Sequence, residues 1–140
     1  MTADMLATSW SELADKVVTL AKEFPADKFD SRPVPGIRSF ADQLRHIAFW
    51  NDYVRKTLRH EEADGAANEL PRDAYPTKAK LVPALRASFD GVTSEIKTSK
   101  GTPDESTLLS FIEHTGEHYG QLVVYCRLNG IVPPSSRGSE

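Results

Sequence analysis

Four stretches of the chain repeat apolar residues every three or four positions, and no stretch alternates as a run of strands would. This helical period constrains the fold most, because each such helix has one apolar face that must be buried against the others. With 140 residues the chain is long enough for a hydrophobic core without disulfides. The sequence therefore predicts an all-α fold, with residues 1–140 forming a single four-helix-bundle domain.

The first two helices have recognisable ends. Ser9 and Glu12 form a candidate capping box for the first helix, and Pro25 ends it. Ser39 can cap the second helix, with Asp42 at its third position. A long connection, from about residue 60 to residue 76, follows this helix and is too long for a tight antiparallel turn.

The last two helices are marked by prolines and a glycine. Pro83 predicts that the third helix starts near Val82 or is kinked there. Thr102 is the expected cap of the fourth helix, which should run over Pro103–Asn129, with Gly130 just beyond its end.

Three histidines are the candidate chemical groups. His114 and His118 are four residues apart on the fourth helix, so both imidazoles lie on one face, about one turn of 5.4 Å apart, as chelation of one ion requires. On helical wheels, His46 and this pair lie at the edge of the apolar stripe of their helix, here called its shoulder. Both helices have their histidines displaced from the stripe in the same rotational direction. Such shoulders can face each other only if the second and fourth helices are antiparallel neighbours.

Three neutral imidazoles would then close one face of a tetrahedral or octahedral metal site and leave positions open for water or substrate. The candidates for supporting hydrogen bonds around them are Asp42, Tyr53, Gln121 and Tyr125. From periodicity alone, ordinary solvated or hydrogen-bonded histidines remain an alternative. His60 is expected outside the site, near the end of the second helix, and Cys126 is expected in the core.

Charge and composition exclude several classes of partner. The 17 basic and 20 acidic residues give a net charge of -3, and the basic residues are scattered rather than clustered, which disfavours nucleic-acid binding. The first residues lack the basic start of a signal peptide, and no apolar run is long enough to span a membrane. A single cysteine fits a reducing compartment. We expect a cytoplasmic protein with no nucleic-acid or membrane partner.

Two segments resemble the DinB/YfiT family: SFADQLRHIAFW at residues 39–50 and EHTGEHYGQLVVYCRLNGIVPP at residues 113–134. The resemblance covers nearly the whole chain. It implies a four-helix bundle of up-down-down-up order with a long crossover between helices 2 and 3. It also implies a three-histidine metal site, matched here by His46, His114 and His118, that holds a divalent ion such as zinc or nickel, and commonly a homodimer.

The resemblance leaves the reaction open. It implies a metal-dependent transferase or isomerase that acts on a small-molecule substrate with a low-molecular-weight thiol such as bacillithiol, mycothiol or glutathione. Arg45, Arg127 and Arg137 are candidate basic groups for binding an anionic thiol of this kind. One alternative is a metal-dependent hydrolase, with Glu117 or Asp42 as its base, although Glu117 is expected toward solvent. Another is a non-catalytic metal-binding stress protein or a helical interaction module.

Overall fold

The computed structural model describes residues 2–98 and 104–138. Its four α-helices are α1 Ala3–Glu23, α2 Phe40–Leu58, α3 Lys78–Thr98 and α4 Glu105–Leu128. Two short 3-10 turns, at Ala26–Lys28 and Pro134–Ser136, follow α1 and α4. The described residues contain no strand, so the predicted all-α class is confirmed.

Helices α2 and α3 are parallel neighbours. The Asn51 side-chain amide donates to the Ser88 hydroxyl over 3.0 Å, and further along both helices Arg55 contacts Glu95 over 3.3 Å. Two parallel neighbouring helices require the chain to travel back along the bundle between them, which explains the long connection after α2.

Helices α2 and α4 are antiparallel, as predicted. The ring of Phe40, at the start of α2, lies 6.1 Å from that of Tyr125, near the end of α4. Further along α2, the ring of Trp50 lies 6.5 Å from that of Phe111, near the start of α4. Residue numbers thus fall along α4 as they rise along α2.

Helix α1 is antiparallel to α3, which completes the up-down-down-up order. The rings of Trp10 and Phe89 are 5.4 Å apart, while Lys78, the first residue of α3, donates to the backbone carbonyl of Phe24 at the end of α1. Helices α1 and α2 lie diagonally across the bundle, since each packs mainly against α3 and α4. The up-down-down-up bundle implied by the resemblance is confirmed.

The core is built from the apolar stripes of these helices. Its largest fully buried side chains are Leu6, Trp10, Leu20, Phe24, Phe40, Leu44, Ile47, Leu81, Leu85, Phe89, Leu108 and Leu122. Cys126 is buried with them, as expected. No helix of the described residues is both long and apolar enough to cross a membrane.

The predicted start of α1 is wrong, and so is one of the two alternatives for α3, a start near Val82; the structure places Pro83 inside α3. Helix α1 begins at Ala3 and not at Ser9, because the Thr2 hydroxyl caps it by accepting from the backbone N–H of Met5. Helix α3 begins at Lys78, four residues before Val82, with the Thr77 hydroxyl accepting from the backbone N–H of Lys80. Both helices begin at capping threonines that lie outside the apolar repeats from which the starts were predicted.

The caps of α2 and α4 lie close to the positions predicted from the sequence. Ser39 caps α2 and accepts from the backbone N–H of Asp42, as predicted. For α4 the predicted Thr102 and Pro103 lie outside the described residues, and the described cap is Asp104. Gly130 follows α4 with a positive φ of 72°, the left-handed conformation that glycine adopts freely.

The segment between α2 and α3, residues 59–77, is called the crossover. Part of it lies along the first half of α2: the backbone N–H of Leu70 donates to the carbonyl of Arg45, and Arg45 donates in turn to the carbonyl of Tyr75. Arg72 forms two hydrogen bonds with the buried carboxylate of Asp42. These contacts hold the crossover against the helix that carries His46.

Candidate metal centre

The three predicted histidines form one cluster between α2 and α4. One ring nitrogen from each of His46, His114 and His118 lies within 4.8 Å of the others. The Nε2 atoms of His46 and His114 are 3.2 Å apart. His46 and His118 are buried and His114 is half-buried, so the cluster sits at the edge of the core.

The outer ring nitrogens of two histidines are engaged by fixed acceptors. His46 Nδ1–H donates to the backbone carbonyl of Asn68 over 2.9 Å, and His118 Nδ1–H donates to Oε1 of Gln43 over 2.7 Å. Because these acceptors hold the ring proton on Nδ1, Nε2 of each ring carries the lone pair that can bind an ion.

Gln43 contacts the histidine cluster, and no sequence motif pointed to it. It is buried on α2, and its Nε2 donates to Oε1 of Gln121 over 2.6 Å while its Oε1 accepts from His118. The helical wheel could have indicated this contact, because Gln43 lies one turn before His46 on the same shoulder of α2. Predicted Gln121 therefore supports the cluster through Gln43 and not by direct contact.

Asn68, on the crossover, was also missed. Besides accepting from His46 through its carbonyl, it accepts from the indole N–H of Trp50 through Oδ1 over 2.9 Å. Its φ is 62°, a left-handed conformation that asparagine tolerates better than most residues. The crossover has no apolar period, so no sequence pattern pointed to this residue.

The environment keeps the cluster uncharged. Burial is the main cause that lowers the pKa of each histidine, and the positive charge of Arg38 lowers all three further. The pKa of His46 falls to about 4 and that of His118 to about 3. The imidazoles are therefore neutral at pH 7, which is the form that binds metal.

The donor set fits a divalent ion, and one pair of its nitrogens has the spacing that such an ion requires. Zinc–nitrogen bonds of about 2.0–2.1 Å at a tetrahedral angle put ligand nitrogens about 3.3–3.4 Å apart. The 3.2 Å between the Nε2 atoms of His46 and His114 is close to that value. With three protein ligands, a four-coordinate ion would keep one position open.

The other candidates for supporting groups lie elsewhere. Asp42 points away from the cluster, into a network with Arg32, Arg45 and Arg72. The Tyr125 hydroxyl donates to the backbone carbonyl of Arg38. Tyr53 contacts the ring of Trp50, with centroids 4.8 Å apart.

The remaining predicted groups also lie outside the cluster. His60 is exposed after the end of α2, as expected, and Glu117 is exposed on α4. Of the candidate cations, Arg45 is engaged with Asp42 and the crossover, Arg137 pairs with Glu23, and Arg127 is exposed in the last turn of α4. Arg38, which none of the motifs marked, is the cation whose charge all three histidines feel.

A cleft of about 300 Å³ opens beside the cluster. It is lined by His46, Trp50, Asn68, Ser110, Phe111 and His114. Two ligand candidates thus form part of its wall, so a molecule in the cleft would lie next to the open positions of an ion.

The fold is an up-down-down-up bundle, and its antiparallel helices α2 and α4 present three neutral imidazoles beside a cleft. These features define the class of protein: a helical bundle whose site fits a divalent metal ion. The sequence profile of the DinB superfamily matches residues 9–122. The chain belongs to this superfamily. No curated protein sequence matches it significantly.

Proposed function

We propose that this protein binds one divalent metal ion, zinc or nickel, through His46, His114 and His118. The observation that carries the proposal is the convergence of three ring nitrogens within 4.8 Å, with the outer nitrogens of His46 and His118 engaged by Asn68 and Gln43. Neutral, oriented imidazoles with free lone pairs are what a metal site requires before the ion arrives.

We propose further that the site catalyses transfer of a low-molecular-weight thiol to a small-molecule substrate. A bound divalent ion would supply positive charge that favours the thiolate form of the thiol. Among the described residues no carboxylate lines the cleft. The thiol proton would pass to solvent, the sulfur would form a bond to the electrophilic atom of the substrate, and the group displaced from that atom would leave with its bonding electrons. Asp42, a candidate base for the alternative hydrolysis, is occupied by three arginines.

The proposal includes the setting of the site. Residues 1–140 are proposed to form one domain, and the single cysteine, Cys126, favours a reducing, cytoplasmic compartment. A homodimer is proposed because Val124 and Leu128 expose apolar surface on α4, with 53% and 63% of each residue accessible. Sedimentation velocity checks the last point, and a monomer at micromolar concentration contradicts it.

Metal analysis tests the binding proposal. Protein prepared without a histidine tag, stripped of metal and resupplied with zinc or nickel should retain one ion per chain. Changing His114 to alanine should lower the metal affinity by more than about 100-fold. Loss of a residue that only hydrogen-bonds to a ligating histidine already lowers metal affinity by about 10–100-fold, and loss of a ligand should cost more. His60→Asn is the matched control, because it removes the exposed histidine and suits a φ of 59°. Absence of stoichiometric metal from the unaltered protein would contradict the proposal.

Turnover of a model electrophile with each of three thiols, with and without metal, tests the reaction. We expect activity that requires both the ion and one preferred thiol. A protein that binds metal but shows no thiol-dependent turnover would instead be a hydrolase or a non-catalytic metal-binding protein.

A further inference from the structure

The cleft beside the histidines has aromatic walls. Trp50 from α2 and Phe111 from α4 pack against each other and form one wall, with ring centroids 6.5 Å apart and planes 36° from parallel. His114 completes the wall, with its ring 6.2 Å from both of these rings and nearly perpendicular to each. No charged side chain of the described residues lines the cleft.

Trp50 is held firmly in this position. Its indole N–H donates to Asn68, and Gly65 of the crossover packs against the opposite edge of the ring. A Cβ atom at Gly65 would lie 2.8 Å from Cη2 of Trp50, so only glycine allows this approach. Tyr53 supports the indole from its own helix, with ring centroids 4.8 Å apart. The wall is therefore preformed and does not depend on a ligand to order it.

The chemistry of the walls selects between the two molecules that the proposed reaction requires. A low-molecular-weight thiol of the kind invoked above carries charged groups, and these would lose water in an apolar cleft without gaining partners. A flat apolar group would instead exchange water for aromatic contacts. The volume of about 300 Å³ is at the lower limit of ligand pockets, which suits a single substituted ring.

We propose that this cleft is the substrate subsite, and that it binds an aromatic or similarly flat apolar group against the wall formed by Trp50 and Phe111. The proposal rests on the proposed function, because the group bound there is the part of the electrophile that holds its reactive atom near the histidine cluster. The thiol then approaches from outside the cleft. Trp50 and Phe111 are specificity residues and do not ligate the ion.

Two small hydroxamic acids provide the first test. Acetohydroxamic and benzohydroxamic acid share a metal-binding head, and only the second has a ring to fill the cleft. With zinc-loaded protein, calorimetry should give at least about tenfold tighter binding of benzohydroxamic acid. Phe111→Ala should bring the two affinities together by weakening the aromatic ligand alone, and Ser110→Phe should do the same by filling the cleft from an exposed position. Met5→Ala, which shortens an exposed apolar side chain of α1 that does not line the cleft, should leave the ratio unchanged.

A second test needs no metal. Phenol added to metal-free protein should shift the indole N–H signal of Trp50 in a nitrogen–proton correlation spectrum and leave that of fully buried Trp10 in place. Ser110→Phe should abolish the shift. If zinc fails to bind but phenol shifts the indole signal of Trp50, the metal-binding proposal is wrong and the proposal that the cleft binds a flat apolar group stands. If zinc binds, the hydroxamic acids bind equally and phenol has no effect, the cleft proposal is wrong and the metal site stands.

Discussion

At the scale of single residues, Gln43 contacts the histidine cluster directly without being a candidate ligand. Its amide links His118 on one side to Gln121 on the other. Replacing Gln43 with leucine keeps the side-chain volume but removes the acceptor that holds the His118 proton on Nδ1. We expect metal affinity to fall by 10–100-fold, the usual effect of losing such a partner. Competition with a chelator of known affinity measures the change.

Gln121→Leu is the matched control for this change. It leaves the contact between Gln43 and His118 in place and removes only the outer link, so its effect should be smaller. Equal losses in both variants would mean that Gln43 acts through general packing and not through the imidazole.

The buried histidines also predict how metal-free stability depends on pH. In the folded protein the pKa of His118 is about 3 and that of His46 about 4, against 6.5 for an unperturbed histidine. Below about pH 6.5 the unfolded chain takes up protons that the folded chain does not, so the free energy of unfolding falls as the pH drops toward 4. Protein without metal should therefore lose less stability between pH 7 and pH 4 once His118 is changed to glutamine. In urea unfolding, the stability of His60→Asn should change with pH as that of the unaltered protein does. If the free energy of unfolding changed equally with pH in the unaltered protein and in both variants, the lowered pKa of His118 would be refuted.

At the scale of elements, the crossover both connects two helices and supplies part of the site. Asn68, at its centre, has a left-handed backbone and contacts His46 and Trp50. Asn68→Gly and Asn68→Ala remove the same side-chain acceptor, but only alanine is strained at a φ of 62°. Alanine should therefore lower the free energy of unfolding by about 1 kcal/mol more than glycine. Urea titrations at fixed pH check this, and equal stabilities would mean that the crossover relaxes its backbone.

The elements differ in how far the sequence predicts them. Apolar periodicity predicts that all four helices exist, because burying one face fixes which residues must recur. It does not predict where α1 and α3 start, since Thr2 and Thr77 cap those helices outside the repeats. The place of Asn68 beside His46 could not be predicted either, because that contact depends on the path of an irregular segment.

At the scale of the whole molecule, the topology explains why the site lies where it does. Parallel packing of α2 and α3 requires a long crossover, and the antiparallel packing of α2 and α4 brings His46 opposite His114 and His118. The crossover then closes over the shoulder of α2 beside these histidines. The order of helices thus provides the facing shoulders and the segment that supports them.

The core and the histidine cluster occupy different parts of the bundle. The largest buried aromatic side chains, Trp10, Phe24, Phe40 and Phe89, join α1, α2 and α3. The histidines instead lie at the edge between α2 and α4, where His114 is half-buried. Folding should therefore not depend on the ion.

Removing the metal should lower the melting temperature without unfolding the protein. A ligand at 100 times its dissociation constant adds about 2.7 kcal/mol to the free energy of unfolding, and chelation removes that contribution while leaving the apolar core intact. Circular dichroism should show the same helical signal with and without chelator, and thermal melts should remain cooperative at a lower midpoint. His114→Ala should melt near the metal-free midpoint and gain nothing from added zinc, whereas His60→Asn should respond as the unaltered protein does. Loss of the helical signal on chelation would instead make the ion a structural element of the bundle and would count against a catalytic role.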